Sequence, residues 1–449
     1  MVSNLDMLES KIKKISEKFL ELTQEKEILV ISHFDTDGIT SAAIMIKTLK
    51  RLDRKFSIKI VKSLDEQFIY NLPKEKIILF LDLASGCLDY IANSSLKNIF
   101  IIDHHEIPEE KIISENIYIL NPELINKQKI SASCLTYLFC KEINPEIKKY
   151  SKLAVLGMIG DCLEKEIDKL NTGILNDSEI IRKRGLLIYP STRPINRTLE
   201  YSSSPYIPEI TGDVKGVLEL LREIKINPVN GKYPSILELD EEQMSKLITA
   251  IMLRNPKTKN SEIVGDIFLI KMFNRLEDAR DISAMINACS RLGESWTAIQ
   301  LCMEISKSKK RCETIHAKYK QLLISGLKFI SETKKMEGKG FVIINAKDQI
   351  KDTMAGTLTS ILSNSAIYEE GTVITTMAFD EESEKIKISS RNVGKNGRNV
   401  REVLANIITQ IGGEVGGHKF AAGAIIEKQK EEEFINLLKK NLEIEMVKI

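Results

Sequence analysis

The feature that most constrains this chain is the acidic segment 33–38 (His-Phe-Asp-Thr-Asp-Gly), which follows directly on an apolar run at 28–31. The apolar run predicts a buried strand, and open α/β sheets bind ligands at the carboxyl ends of their strands. Asp35 and Asp37 are two residues apart, so an extended backbone would point both carboxylates to one side. With His33 they would either repel one another or bind a cation.

The same pattern occurs at two further apolar runs. The run 77–81 ends at Asp82, the run 99–102 is followed by an Asp-His-His triplet at 103–105, and Asp161 follows a helical pattern. A lone aspartate after a strand is most often a turn or capping residue. Three such ends in one sheet are hard to explain in that way, because a buried cluster of uncompensated carboxylates costs several kcal/mol. We therefore expect bound cations.

About four aspartates and two histidines are more ligands than one ion needs. They fit two ions on the order of 3.5–4 Å apart, and a mixture of carboxylates and imidazoles suits Mn²⁺ or Mg²⁺. Such a pair of ions activates a water and clamps the oxygens of a phosphate. The candidate metal ligands are His33, Asp35, Asp37, Asp82, His104 and Asp161.

Alternation of apolar runs with helical patterns predicts the fold class α/β with a doubly wound parallel sheet. We place this parallel-sheet domain at 1–185, a linker and helical region at 186–336, and a mixed α/β domain at 337–449. Residues 180–212 read as an irregular linker, and 214–336 are mostly helical in pattern. The spacing of apolar residues over 295–336 predicts one or two long helices that would serve as a spacer, with Trp296 in the core.

Composition excludes several classes of protein. The 449 residues carry a net charge of only +2, so a polyanionic partner would have to meet a local patch. The seven cysteines form no CxxC pair and are expected to be reduced, as is usual in a cytoplasm. Residues 1–9 lack the layout of a signal peptide, and no apolar run reaches the length of a membrane span. We therefore expect a cytoplasmic protein with no membrane partner.

Four parts of the chain, taken in order, resemble the four motifs of the DHH phosphoesterase superfamily. They are segment 33–38, Asp82, the triplet 103–105 and Gly-Asp at 160–161. The segment 416–423 (Gly-Gly-His-Lys-Phe-Ala-Ala-Gly) resembles the DHHA1 domain that accompanies it. Together the two resemblances cover most of the chain, although Glu414 and Val415 interrupt a glycine run that is longer in many relatives. The linker stretch, with the segments 191–194 and 205–208, resembles archaeal RecJ-like single-strand exonucleases.

The resemblance implies a role for each motif residue. His33, Asp35 and Asp82 would hold a first ion. The ligands of the second ion would be Asp37, Asp82, His104 and Asp161, with Asp82 shared. The implied catalytic residues are Asp103, which would orient a ligand histidine, and His105, which would contact the scissile phosphate.

A second set of candidates lies near the end of the chain. Glycines let backbone N–H groups approach an anion, histidine can donate to a phosphate, and arginine offers a fork of donors. We therefore expect a nucleotide-binding cleft that faces the metals. The candidate nucleic-acid contacts are Arg391, Asn392, Gly416, Gly417 and His418.

These residues predict a metal-dependent exonuclease that hydrolyses single-stranded DNA or RNA by a two-metal mechanism, in DNA repair or replication. One alternative is a phosphodiesterase for short oligonucleotides (nanoRNA) or cyclic dinucleotides. Another is a replisome-associated scaffold, for which replication proteins such as GINS would be the partners. The motifs are all intact, which argues against the inactive, Cdc45-like branch of the superfamily.

Overall fold

The structure is a computed structural model. It describes residues 4–443 except 108–115, 126, 166, 203–204, 206, 256–262, 366 and 381–382, so the last residues of the predicted domain 337–449 lie outside it. The chain packs as two compact units. The amino-terminal unit comprises residues 1–183 and 266–317, and the carboxy-terminal unit comprises residues 184–265 and 318–449. None of the described helices is both long and apolar enough to cross a membrane.

The described residues form strands and α-helices in a largely alternating order. The strands are β1 (Ile28–His33), β2 (Phe56–Val61), β3 (Ile77–Leu81), β4 (Ile99–Ile102), β5 (Ile117–Leu120), β6 (Ile181–Leu186), β7 (Val264–Met272), β8 (Arg275–Asp278), β9 (Met336–Gly338), β10 (Phe341–Lys347), β11 (Val373–Phe379), β12 (Lys385–Asn392), β13 (Glu414–His418) and β14 (Ala421–Glu427). The helices are α1 (Asn4–Leu22), α2 (Thr36–Arg51), α3 (Glu66–Tyr70), α4 (Leu88–Asn93), α5 (Ala132–Ile143), α6 (Ser151–Gly160), α7 (Lys169–Asp177), α8 (Ile195–Glu200), α9 (Val214–Glu223), α10 (Glu241–Arg254), α11 (Ala279–Arg291), α12 (Ser295–Cys302), α13 (Ser308–Glu332), α14 (Asp352–Ser363), α15 (Val400–Ile411) and α16 (Glu431–Glu443).

The amino-terminal unit is built on a five-stranded sheet in the order β2-β1-β3-β4-β5, and every pairing in it is parallel. Strands β1, β3, β4 and β5 are largely apolar because both faces of the sheet are covered there, whereas the edge strand β2 contains Ser57 and Lys59. The strand order reverses between β1 and β3, and such a switch point opens a crevice at the carboxyl ends of the strands. The predicted parallel, doubly wound sheet is confirmed.

Helix α2 begins at Thr36, inside the acidic segment 33–38. The Asp35 side chain caps it by accepting a hydrogen bond from the Gly38 N–H at 3.0 Å. Asp37 therefore lies in the first helical turn. The expectation that Asp35 and Asp37 share an extended backbone was wrong.

The middle of the chain is mostly helical, as predicted, but it also contains strands that the sequence analysis did not identify. The region 214–336 includes the antiparallel hairpin β7–β8, and the segment predicted as an irregular linker contains β6. Residues 295–317 are no spacer, because Ile299, Leu301 and Cys312 are buried in the core of the amino-terminal unit. Trp296 is 61% exposed rather than part of that core.

The carboxy-terminal unit contains a six-stranded sheet in the order β13-β14-β12-β11-β10-β9. The pair β10–β11 is parallel and the other pairs are antiparallel, so the predicted mixed α/β architecture is confirmed. Helices α15 and α16 bury apolar side chains such as Leu404 and Phe434 against one face of this sheet. Strand β13 is an edge strand, and all five of its residues are exposed.

Candidate metal centre

The carboxyl ends of β1 and β3 bring together a first group of possible metal ligands, namely His33, Asp35 and Asp82. His33 ends β1, Asp35 caps α2, and Asp82 follows β3. The His33 Nδ1 atom lies 3.0 Å from Asp35 Oδ2 and 3.4 Å from Asp82 Oδ2. When two ligand atoms each lie about 2.1 Å from the same ion and the angle between them at the ion is about 90–109°, the two atoms are about 3–3.5 Å apart. The spacing therefore suits a shared cation.

A second group surrounds the ring of His104, which follows β4. Its Nε2 atom lies 3.4 Å from Asp82 Oδ1, 3.2 Å from Asp161 Oδ2 and 3.9 Å from Asp37 Oδ2. Asp161 stands at the carboxyl end of α6, and Asp37 is in the first turn of α2. These atoms can likewise converge on one ion.

Asp82 joins the two groups, because its Oδ2 atom faces His33 and its Oδ1 atom faces His104. The carboxylate is 1% exposed, and among the described residues neither of its oxygens has a hydrogen-bond partner. His33 Nδ1 and Asp161 Oδ2 are likewise buried and have no hydrogen-bond partner within the described part of the chain. Buried polar atoms without partners are rare in native proteins, and binding of an ion is one of the recognised explanations. The donor set fits a divalent cation of the Mn²⁺ or Mg²⁺ type.

The Asp82 backbone has a φ angle of +60°, in the left-handed region. Its N–H still donates to the Ile102 carbonyl at 2.9 Å, so the strand pairing continues up to the residue that carries the carboxylate. Non-glycine residues in this region carry strain that clusters at functional sites. The turn therefore holds the Asp82 carboxylate in a fixed position at the end of β3.

Asp37 is held by the amino terminus of α5. Its two oxygens accept the backbone N–H groups of Ala132 at 2.6 Å and Ser133 at 3.0 Å. A helix amino terminus favours a negative charge there. Gly157 of α6 makes room for this arrangement, because a Cβ atom at that position would overlap Asp37 Oδ1 and Ser133 Oγ. The position of Asp37 thus depends on α5 and α6 as well as on its own helix.

Asp103 orients a histidine, but not the one expected. The sequence assigned it to a ligand histidine, whereas its Oδ1 accepts from the ring Nδ1 of His105 at 2.7 Å. Its Oδ2 accepts the Ser85 N–H at 2.9 Å, and Ser85 Oγ in turn accepts from the Asn121 side chain at 2.8 Å. This buried network fixes the His105 ring so that its Nε2 is the atom left for other contacts. His105 Nδ1 also lies 3.9 Å from Asp82 Oδ1.

Burial raises the pKa of two carboxyl groups at this site. Burial together with the charges of Asp35 and Asp37 holds the pKa of Asp82 well above its ordinary value of 3.8. The pKa of Asp161 is also well above 3.8, through burial and the charge of Asp37. Burial acts in the same sense on Asp35, but the charge of His33 outweighs it and the Asp35 pKa is lowered.

Burial lowers the pKa of each histidine in the centre, but neighbouring carboxylates outweigh it. The charge of Asp35 holds the His33 pKa well above 6.5, and Asp161 and Asp37 raise that of His104. The centre therefore keeps protons that the unfolded chain would release.

This proton binding predicts how the stability of the metal-free chain depends on pH. A group with a raised pKa stabilises the fold below its unfolded pKa and loses that effect as pH rises through its folded pKa. We expect the free energy of unfolding to fall as pH rises above 6.5, the ordinary histidine value, and through the raised pKa values of His33 and His104. Mn²⁺ competes with the same protons, so it should stabilise the chain more as pH rises. Thermal unfolding with EDTA and with Mn²⁺ measures both trends, and rising metal-free stability across this range would contradict them.

Arg391 and Asn392 lie at the end of β12, where the sequence places them as nucleic-acid contacts. The Arg391 guanidinium donates to the carbonyls of Ser390 at 2.9 Å and Ala422 at 3.2 Å, and to Ser360 Oγ at 3.2 Å. Asn392 is 6% exposed. Arg391 therefore ties β12 to β14 and α14.

Gly416, Gly417 and His418 lie on the exposed edge strand β13. They pair with Gly423, Ala422 and Ala421 of β14, respectively. Their accessible position is compatible with binding a ligand, but the predicted cleft facing the metals stays a prediction.

Several residues at the metal centre were missed by the sequence analysis. Ser85 and Asn121 support Asp103 and His105, and Asn121 could have been found because it follows β5 as the acidic residues follow β1, β3 and β4. Phe34 lies edge-on to His33 with ring centroids 5.0 Å apart, and the Arg291 guanidinium lies 5.8 Å from the Phe34 ring. Arg291 was missed because it lies in the region assigned to the middle of the chain.

Comparisons with known proteins match this chain to three family models in succession. The model of the DHH family, N-terminal domain, matches residues 27–160, the DHH-CID domain matches 188–262, and the DHHA1 domain matches 337–443. An uncharacterized protein of Methanocaldococcus jannaschii is 30% identical over 453 residues, which cover 97% of each chain.

Solved structures share the fold at low sequence identity. RecJ from Thermus thermophilus in complex with Mn²⁺ has a TM-score of 0.60 at 16% identity, covering 98% of this chain, which spans only 55% of that RecJ. CDC45 from Entamoeba histolytica has a TM-score of 0.69 at 11% identity, covering 96% of this chain and 99% of its own. At such identities the likeness concerns the fold alone. The matched domain models and the full-length relative establish that this chain belongs to the DHH family of phosphoesterases, which are hydrolases.

Proposed function

We propose that this chain is an exonuclease that hydrolyses phosphodiester bonds of single-stranded DNA or RNA with the help of two Mn²⁺ or Mg²⁺ ions. The observation that carries the proposal is Asp82, whose two buried, unpaired oxygens face different sets of ligands. A carboxylate in that position is suited to bridge two cations. Structural neighbours support the same reading, since one is an exonuclease RecJ bound to manganese.

In this proposal His33, Asp35 and Asp82 hold one ion. The ligands of the other ion are Asp37, Asp82, His104 and Asp161. When bound, two such ions activate a water for in-line attack on phosphorus and stabilise the charge that develops on the phosphate oxygens. The protein's own contribution is to hold these ligands in place, through the cap at Asp35, the turn at Asp82 and the α5 terminus at Asp37.

His105 is proposed to contact the scissile phosphate. Its Nδ1 atom is engaged by Asp103, which leaves Nε2 to donate to a phosphate oxygen. Burial lowers the His105 pKa, but Asp103 raises it above 6.5 overall, which favours the protonated ring that makes the stronger, charge-assisted hydrogen bond. Arg291, close to Phe34 at the rim, adds a positive charge for a polyanionic substrate.

The carboxy-terminal unit is proposed to bind the nucleic-acid strand. Gly416 and Gly417 present exposed backbone on β13, and His418 follows them as an exposed donor. Arg391 and Asn392 are proposed to belong to the same binding surface. The hydrogen bonds that Arg391 makes to backbone carbonyls suggest that it shapes this surface as well as contacting phosphate.

A second candidate is a scaffold in a replication complex, with replication proteins such as GINS as partners. It is favoured by the TM-score of 0.69 to CDC45 over nearly the whole of both chains. A scaffold, however, has no need of buried carboxylates without partners, which destabilise a fold in the absence of cations. One protein can have both roles, but only the nuclease function requires the metal centre.

A product ladder tests the proposal. End-labelled single strands of DNA and RNA of several lengths, and in parallel dinucleotides and cyclic dinucleotides, are incubated with Mn²⁺, with an Asp82→Asn variant as control. We expect shortening from one end, one nucleotide at a time, by the wild type and none by the variant. Cleavage confined to dinucleotides or cyclic dinucleotides would replace the exonuclease with a small phosphodiesterase. If the correctly folded wild type hydrolyses none of these substrates, the scaffold is the remaining candidate function.

A further inference from the structure

The amino-terminal unit has a second concave site, a pocket of 680 Å³ away from the metal centre. Ser151 and Lys152 at the start of α6 line it, together with residues of the β7–β8 hairpin. Asp161 of the metal centre follows the other end of α6, which is ten residues long. At 1.5 Å per residue the two sites are about 15 Å apart along this helix. The pocket is therefore a separate site.

Cations predominate in the lining of this pocket, which contains Lys148, Lys149, Lys152, Lys271 and Arg275. Two of the three lining carboxylates are already engaged. Asp177 accepts from Tyr137 at 2.8 Å and pairs with Lys148 at 3.2 Å. Glu304 pairs with Lys152 and accepts the Phe273 N–H at 2.9 Å.

The remaining three cations, Lys149, Lys271 and Arg275, form no ion pair within the described part of the chain. Against them the lining offers one further carboxylate, Glu179, which is exposed. Lys149 lies 5.3 Å from the centroid of the Tyr150 ring, and Lys47, which is not part of the lining, lies 5.1 Å from the same centroid. Like charges in a concave site concentrate a positive potential, and a bound anion relieves their repulsion.

We propose that this basic pocket binds a small polyanion with a chain of phosphoryl groups, such as the triphosphate of a nucleotide. Its volume falls in the range of small-molecule sites. Ile181 and Leu276, which are 47% and 44% exposed, provide aliphatic surface for an attached nucleoside. Lys271 pairs across the hairpin with Leu276, so charge and apolar surface lie side by side. The lining has no aromatic side chain, which disfavours a single strand held by base stacking.

Isothermal titration of the full chain tests this inference, with tripolyphosphate, ATP, an oligonucleotide and a glutamate-rich peptide as separate ligands and no added divalent ion. We expect tripolyphosphate and ATP to bind the wild type. Charge-assisted contacts are typically worth a factor of about ten or more each, so the double variant Lys271→Gln/Arg275→Gln should bind at least tenfold more weakly. Lys149→Gln provides an independent variant should the double variant fold poorly.

Two controls separate this pocket from the metal centre. Lys97→Gln removes an exposed lysine elsewhere in the unit, and Asp82→Asn disables the metal centre; both should bind tripolyphosphate as the wild type does. Binding lost in Asp82→Asn but kept in the double variant would assign the phosphate to the metal centre and overturn the inference. The inference would also be overturned if tripolyphosphate did not bind the wild type, or if the peptide or the oligonucleotide bound more tightly than tripolyphosphate and ATP. The exonuclease proposal stands or falls independently, by the product ladder.

Discussion

The Asp82→Asn variant is expected to lose metal-dependent phosphodiester cleavage by a factor of at least about 1,000. Substitution of groups that only orient metal ligands typically costs about 10–100-fold, and Asp82 is placed to contact both ions directly. Its Oδ2 atom lies 3.4 Å from His33 Nδ1 and its Oδ1 atom 3.4 Å from His104 Nε2, so one substitution removes a ligand from each group. Steady-state cleavage of a labelled strand at saturating Mn²⁺ measures the loss.

Asp89→Asn is the matched control for this variant, because Asp89 is exposed in the first turn of α4. It should retain wild-type cleavage. Unchanged activity in Asp82→Asn would remove Asp82 from the reaction and the proposed bridging with it.

The same variant has a second expected consequence. Burial and the charges of Asp35 and Asp37 raise the Asp82 pKa well above 3.8, so the charged carboxylate is unfavourable in the metal-free fold. Asp82→Asn should therefore unfold at a temperature equal to or above that of the metal-free wild type. It should also lose most of the stabilisation that Mn²⁺ gives the wild type. A general folding defect would lower both temperatures instead.

The Gly157→Ala variant is expected to weaken Mn²⁺ binding and to destabilise the fold by about 1–3 kcal/mol, the usual range for overpacking a core. The new Cβ atom would overlap Asp37 Oδ1 and Ser133 Oγ and would lie 2.6 Å from Thr40 Oγ1. It must push Asp37 away from the amino terminus of α5. Urea unfolding and Mn²⁺ titration measure the two effects.

Gly173→Ala is the control for Gly157→Ala. Gly173 lies in helix α7, and a Cβ atom there would meet open space. Alanine in an open helical site should leave Mn²⁺ binding unchanged and stabilise the chain slightly, by up to about 1 kcal/mol. Wild-type Mn²⁺ affinity in Gly157→Ala would mean that Asp37 is not needed where the structure places it.

Much of the amino-terminal sheet could be predicted from sequence because β1, β3 and β4 are largely apolar and are followed by polar residues. These three strands were identified within a residue or two of their observed bounds. Parallel strands in one sheet necessarily present their carboxyl ends at one edge, so linear spacing was enough to predict that Asp82 and His104 lie together.

Tertiary support for the centre could not be predicted in the same way. The contact between Asp37 and the α5 terminus joins residues 95 positions apart, and no local pattern encodes it. The pairing of Asp103 with His105 rather than with a ligand histidine depends on ring orientation, which two adjacent histidines leave undetermined. The hairpin β7–β8 was missed because a short apolar run fits a buried helix and a buried strand equally well.

Crystals grown with Mn²⁺ provide the most direct test of the metal centre, through anomalous scattering from the bound ions. We expect two manganese peaks in the amino-terminal unit, one beside Asp82 Oδ2 with His33 and Asp35, and one beside Asp82 Oδ1 with His104 and Asp161. Absence of manganese from this site, or an ion held without Asp82, would contradict the two-ion centre and the exonuclease proposal that depends on it.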